Sequence, residues 1–207
     1  ARAIIRSAIG MTGQACQSLE RIYCHESIAE PFTQELLAQL KVLSLTCTKD
    51  AAGDIAPLIF ERQVETIQAQ VDDALAKGAT CLLGGEPVQA GGIWYPPTLL
   101  TDVNHDMLIM QEETFGPVIP VVVYGDIEEA VALANDSTFG LSAAVFSADA
   151  DTAKGVAERL QVGAISINDA SLTGVVNDVE KNSFRFSGMG GSRMGPAGLT
   201  RFLRKRA

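Results

Sequence analysis

The chain reads as an α/β protein built on a doubly wound, mostly parallel sheet. Three observations predict this. Residues 118–124, VIPVVVY, are almost continuously apolar, the pattern of a strand buried on both faces. Residues 141–146 read as a second buried strand and residues 164–167 as a third. The stretches between them carry helical signals, so strand and helix alternate from residue 118 to residue 167.

The remaining elements follow in order. Residues 1–9 read as the tail of a helix, with Ala3, Ile4, Ala8 and Ile9 apolar, and residues 10–13 break it. Residues 21–24 have strand character. Residues 26–42 form a helix with Ile28, Phe32, Leu36, Leu37 and Leu40 on one stripe. A loop at 49–54 leads to a helix carrying Val64, Ile67, Val71 and Leu75, which stops at Gly78. Residues 80–83 are a short strand. Residues 93–100 are extended, with Pro96-Pro97 suited to an edge or a turn. Asp126 and Glu129 resemble a capping box opening the helix that runs to Asn135. Another helix spans 152–160. Residues 168–191 are polar, glycine- and serine-rich and irregular, and a loop of that length in a compact domain is often functional. A short amphipathic segment ends the chain. No internal repeat is visible. The 207 residues suit one domain, 1–207, with an irregular loop at 168–191 and a short terminal segment at 194–207.

Composition excludes several classes. Apolar residues make up 47% of the chain, too many for a disordered polypeptide. The formal net charge is −9, which argues against a nucleic-acid partner. Basic residues cluster only at Arg201, Arg204, Lys205 and Arg206, where cations complement a helix end. Cys16, Cys24, Cys47 and Cys81 are too widely spaced for a zinc pair and suit reduced thiols in the cytoplasm. The two histidines, His25 and His105, are far apart, so no metal site is expected. No run reaches the length of a membrane span. The sequence starts at Ala1 rather than Met, which suggests a processed, trimmed or partial polypeptide.

Three segments could carry chemistry. Gly13-Gln14-Ala15-Cys16 is a small turn ending in a potential nucleophile. Gly13 permits close backbone approach, and an N–H beside the sulfur could help bind an oxyanion. A buried thiol acting as a small hydrophobe is the other reading. Glu112-Glu113-Thr114-Phe115-Gly116-Pro117 could present a carboxylate to a ribose hydroxyl and a ring to a flat ligand. It could equally be a solvated acidic turn with Phe115 in the core. Ser187-Gly188-Met189-Gly190-Gly191-Ser192-Arg193 lacks the phosphate-binding glycine patterns and reads as a tight packing loop.

Taken together and in order, these segments resemble the C-terminal catalytic domain of the aldehyde dehydrogenase superfamily. Gly13-Gln14-Ala15-Cys16 is similar to its catalytic-cysteine motif. Gly84-Gly85 and Trp94-Tyr95-Pro96-Pro97-Thr98 resemble its glycine pair and aromatic–Pro–Thr stretch. Glu112 to Val118 is similar to its Glu-Glu-x-Phe-Gly-Pro motif. Asn135 to Phe146 resembles its Asn-x-x-x-aromatic-Gly-Leu segment, and Ser187-Gly188 its late Ser-Gly turn.

The resemblance implies a three-layer α/β/α fold and the oxidation of an aldehyde to a carboxylic acid with NAD or NADP. Cys16 would pass through a thiohemiacetal and a thioester. Glu113 would hold the ribose of the nicotinamide half, with Phe115 packed near it and Gln63 approaching the cofactor. Asp169, Phe184 and Phe186 would line the aldehyde pocket. In the place of the family's Pro-Phe-Gly-Gly stands Glu180-Lys181-Asn182-Ser183, so the aldehyde is not identified by the motif. The family's general base and dinucleotide domain would precede Ala1, and neither Glu20 nor Glu26 fits the base motif. The expected partners are a small aldehyde and the enzyme's own N-terminal domain, with a homo-oligomer for the intact enzyme and little activity for this chain alone. A noncatalytic interaction domain that kept the fold is the alternative.

Overall fold

The computed structural model describes residues 1–46, 53–89, 92–188, 194–200 and 202–203. Cys47, most of the expected loop at 49–54, residues 189–193 of the glycine-rich segment and the cluster Arg201, Arg204, Lys205 and Arg206 lie outside the described residues. The chain groups into two compact units, Ala1–Ala130 and Val131–Ala207.

The first unit opens with α1 (Arg2–Ile9), followed by a tight turn of 3-10 helix, Gly10–Gly13. Strand β1 (Ile22–His25) runs into α2 (Glu26–Leu40), which is capped by His25, whose Nδ1 accepts from the Ser27 amide. Next come α3 (Gln63–Ala76), β2 (Thr80–Leu83), a small β3–β4 hairpin (Val88–Gln89 and Ile93–Trp94), β5 (Thr98–Thr101), α4 (Leu108–Gln111) and β6 (Val118–Tyr124). Pro96-Pro97 falls between β4 and β5 and so breaks no ladder.

The sheet order is β1-β6-β5-β2. β6 pairs parallel to both β1 and β5, and only β2 is antiparallel. The alternation along β6 sorts its side chains onto two faces. Ile119 and Val121 pack with Ile22, Leu99, α1 and α2, whereas Val118 and Val122 pack with Leu100, Tyr95, Ile67 and Val71. Both faces of the central strand are therefore covered by helices, as the continuous apolar run predicts.

Helix α2 buries Thr33, Leu36 and Leu40, while Ile28 is 54% exposed. The expected stripe is thus rotated: Ala29, not Ile28, turns to the core in the first turn. In α3 the inward stripe is Ile67, Gln70, Val71 and Ala74, and the expected Leu75 stays exposed. Gln70 occupies a core position because its carboxamide is hydrogen-bonded to the turn around Thr114.

Helix α5 (Ile127–Asn135) starts in the first unit and ends in the second. Asp126 accepts from the Glu128 amide, one residue earlier than a capping box would have it. The second unit continues with β7 (Phe139–Gly140), β8 (Ser142–Val145), α6 (Ala150–Ala157), β9 (Ala164–Ile167), α7 (Leu172–Val175), β10 (Phe184–Arg185) and α8 (Ala197–Thr200). β8 and β9 pair in parallel, and α6 packs on both. The alternation of strand and helix holds, but β8 is half-buried and Phe146 is exposed. Its small residues, Ser142, Ala143 and Ala144, bury little area, so the expected fully buried strand does not form. The irregular stretch 168–191 contains α7 and β10, the latter antiparallel to β7.

Candidate active site

Cys16 is exposed and sits at the first corner of a four-residue turn, closed by the Ser18 amide donating to the Ala15 carbonyl at 2.9 Å. The segment leading into that turn is held tightly. Met11 and Thr12 both take left-handed backbone angles, and Thr12 Oγ1 bonds both the amide and the carbonyl of Ala56 at 3.1 Å. Gln14 Oε1 accepts from the Ile59 amide at 2.8 Å, and Gln14 Nε2 donates to the Met11 carbonyl. These bonds offset the strain of two consecutive left-handed residues.

The acidic turn lies directly against this segment. Gly13 has φ +70°, and a Cβ placed on it would stand 2.2 Å from the Gly116 carbonyl oxygen. Only glycine meets both conditions, so the Cys16 segment and the Glu-Glu-Thr-Phe-Gly-Pro turn touch backbone to backbone.

The turn itself is fixed by side chains from two sides. Gln63 Nε2 donates to the Thr114 carbonyl at 2.7 Å, and Gln70 Nε2 donates to the Glu113 carbonyl at 3.2 Å. Thr114 Oγ1, buried, donates to Gln70 Oε1 at 2.8 Å. From the other side Glu20 accepts two successive amides, Thr114 N on Oε2 at 3.1 Å and Phe115 N on Oε1 at 2.9 Å. Burial pushes the Glu20 carboxyl up, and those two amide bonds pull it back down; Glu113 adds to the rise. Phe115 takes φ +48°, a conformation costly for a phenylalanine.

Cys16, Glu113, Phe115 and Gln63, all expected at the site, belong to the first unit. Glu113 is exposed and Phe115 is half-buried, so a carboxylate and a ring stand beside each other on a turn whose backbone is already satisfied. Gln63 is adjacent, but its amide nitrogen is occupied by the turn itself. Glu20 and Gln70 were not anticipated. Gln70 was visible as a polar residue at a core position of α3. Glu20 left only a weak signal, a charge just before a strand.

Asp169, Phe184 and Phe186 belong to the second unit. Asp169 Oδ1 accepts from the amides of Ser171 and Leu172 and so shapes the start of α7. Phe184 lies on β10 and is exposed, and Phe186 is 84% exposed. Ser187 Oγ accepts from the Gly140 amide at 2.9 Å, which ties the late Ser-Gly turn to the Phe139-Gly140 segment. The Arg185 guanidinium joins the same latch through the carbonyls of Asn135 and Ser137 and Gln161 Oε1. Among the described residues no His, Cys, Asp and Glu cluster could hold a metal ion, and no helix is long and apolar enough to cross a membrane.

Comparison with known proteins gives the family. A family model described as the aldehyde dehydrogenase family matches residues 1–207. The chain is 37% identical over 207 residues to the “Putative succinate-semialdehyde dehydrogenase (NADP(+)) 2” of Mycobacterium ulcerans, covering 98% of this chain and 39% of that protein. It is 39% identical over 157 residues to the succinate semialdehyde dehydrogenase (NAD(P)+) of Escherichia coli strain K12, covering 76% of this chain and 34% of that one. The solved structure of “Putative Aldehyde Dehydrogenase PutA” from Anabaena variabilis superposes with a TM-score of 0.95 at 50% identity, covering 99% of this chain and 44% of that chain. The chain thus spans less than half the length of the relatives it matches. By sequence and by fold, these 207 residues belong to the aldehyde dehydrogenase family.

Proposed function

We propose that this chain is the nucleophile-bearing part of an NAD(P)-dependent enzyme that oxidises an aldehyde to a carboxylic acid. The observation that carries the reading is the direct packing of the Cys16 segment on the Glu113–Phe115 turn through Gly13 and Gly116. It brings the segment that carries an exposed thiol against the turn that carries Glu113 and Phe115, which supports the reading.

In this reading Cys16 loses its thiol proton to a base, and Sγ adds to the aldehyde carbon to give a thiohemiacetal. The Cys16 amide, at the corner of its turn, helps hold the oxyanion. Oxidation of that adduct leaves a thioester, which water hydrolyses to the carboxylic acid and the free thiol. When bound, NAD(P)+ supplies the hydride acceptor. Glu113 accepts from its ribose hydroxyls and Phe115 packs beside it. Gln63 works by bracing the turn that carries both. Asp169, Phe184 and Phe186 carry selectivity for the aldehyde. The proton acceptor and most of the cofactor surface come from the part of the relatives that this chain does not span.

The test is NAD(P)H formation from a panel of aldehydes. In the full-length protein carrying this chain, Cys16→Ser should abolish turnover, and Glu113→Gln should raise the KM for the nucleotide. The isolated 207-residue polypeptide should give little or no NAD(P)H. Undiminished turnover by Cys16→Ser would overturn the reading.

A further inference from the structure

We propose that Glu20 is a positioning residue that sets the Glu113–Phe115 turn against the Cys16 segment for nucleotide binding; this rests on the reading that Glu113 and Phe115 meet the nicotinamide half. Glu20 is neither nucleophile nor base in that reading.

Two successive amides, those of Thr114 and Phe115, converge on one carboxylate, each on its own oxygen. Successive N–H groups converge in this way when the backbone passes into the left-handed region, forming an anion-binding concavity. Phe115 is in that region. Glu20 therefore supplies the two acceptor oxygens that hold Phe115 in its strained conformation. That conformation in turn sets how Glu113 and the Phe115 ring leave the turn.

The source of each brace matters. Gln63 and Gln70 hold the turn from α3. Glu20 holds it from the segment that carries Cys16, four residues away in sequence. Gly13 fixes the same segment to Gly116 on the other side of the thiol. The nucleophile is thus flanked by two attachments to the cofactor-side turn, and Glu20 is the one made by a side chain. Without it α3 still holds the turn, and the Gly13–Gly116 contact is left to set its register to the Cys16 segment.

Glu20→Gln is the informative change. A carboxamide keeps the shape but offers one oxygen and one NH2, so one backbone N–H must face a donor. In the full-length protein, nucleotide affinity is read by NAD(P)H fluorescence titration, which requires no turnover. E20Q should raise the Kd about tenfold, the size of one lost charge-assisted hydrogen bond. Alkylation of Cys16 by iodoacetamide should stay within about twofold of wild type, because the thiol turn keeps its own bonds. E20Q and E113Q combined should weaken binding no more than the weaker-binding single variant, since one acts through the other. If E113Q weakens binding and E20Q does not, or if the two effects add, the proposal fails while the reading of Glu113 stands. If E113Q itself leaves the Kd unchanged, the reading of Glu113 fails and the proposal falls with it. Should E20Q not fold, E20D keeps the charge, withdraws it by one methylene and is read in the same assays.

Discussion

Thr114 Oγ1 donates to Gln70 Oε1 at 2.8 Å, and both side chains are buried. The bond ties the turn at residues 112–117 to the middle of α3. Thr114→Val keeps the volume but leaves the buried Gln70 carbonyl oxygen without its donor. The expected loss is about 1–3 kcal/mol. Urea unfolding checks it, and an unchanged midpoint would mean the bond contributes nothing.

Gly13→Ala should do more damage than a methyl group normally does. The new Cβ would overlap the Gly116 carbonyl, and alanine is disfavoured at φ +70°. Together these amount to about 2–5 kcal/mol. Thermal melting reads the loss directly. A variant as stable as wild type would show that the two segments can separate without cost.

Cysteine labelling should separate the thiols. Burial pushes Cys24 and Cys81 up from the ordinary thiol value, so the folded state holds their protons more tightly. Cys16 is exposed. Iodoacetamide near neutral pH is expected to modify Cys16 first, with Cys24 and Cys81 gaining reactivity only as pH rises past the ordinary thiol range. Mass mapping of the modified peptides measures the order. Equal labelling of the three at neutral pH would contradict it.

Glu20 gives a pH dependence of definite sign. Its folded-state carboxyl titrates above the ordinary 4.5, mainly because it is buried, with Glu113 adding and Arg21 opposing. The folded chain then binds this proton more tightly than the unfolded chain does. The stability it contributes is present below 4.5 and is lost as pH rises through the raised value. Urea midpoints of wild type should therefore fall relative to Glu20→Gln as pH rises above 4.5. The opposite slope would mean that the two amide bonds outweigh burial.

How much of the fold and site was legible in the sequence depended on what each signal measures. The run at 118–124 marked a central strand because unbroken apolarity in an extended segment demands cover on both faces. The run at 141–146 had a similar pattern but smaller side chains, and size decides how much of a strand is buried. The stripe through Ile28 failed by one position: periodicity finds an amphipathic helix more easily than it fixes the rotation of its first turn. Cys16, Glu113 and Phe115 stand out as candidates because their motifs are strings of adjacent residues. Glu20 and Gln70 bond groups far away in sequence, so their partners leave no local pattern, although Gln70 shows as a polar residue at a core position of α3. Arg185 was missed for the same reason: its acceptors lie on Asn135, Ser137 and Gln161.

The parallel insertion of β6 between β1 and β5 has a consequence for how the molecule acquires chemistry. The Glu20–Phe115 bond joins residues 95 positions apart, and the ladder beside it joins Ile22 to Val121. Contacts of that separation pay their chain-closure entropy before they return any stabilisation, which makes them slow to form. The Cys16 segment and the acidic turn meet through contacts of this long-range kind. Joining the Cys16 segment to the acidic turn is thereby coupled to the docking of β6, and anything that slows that docking should delay it.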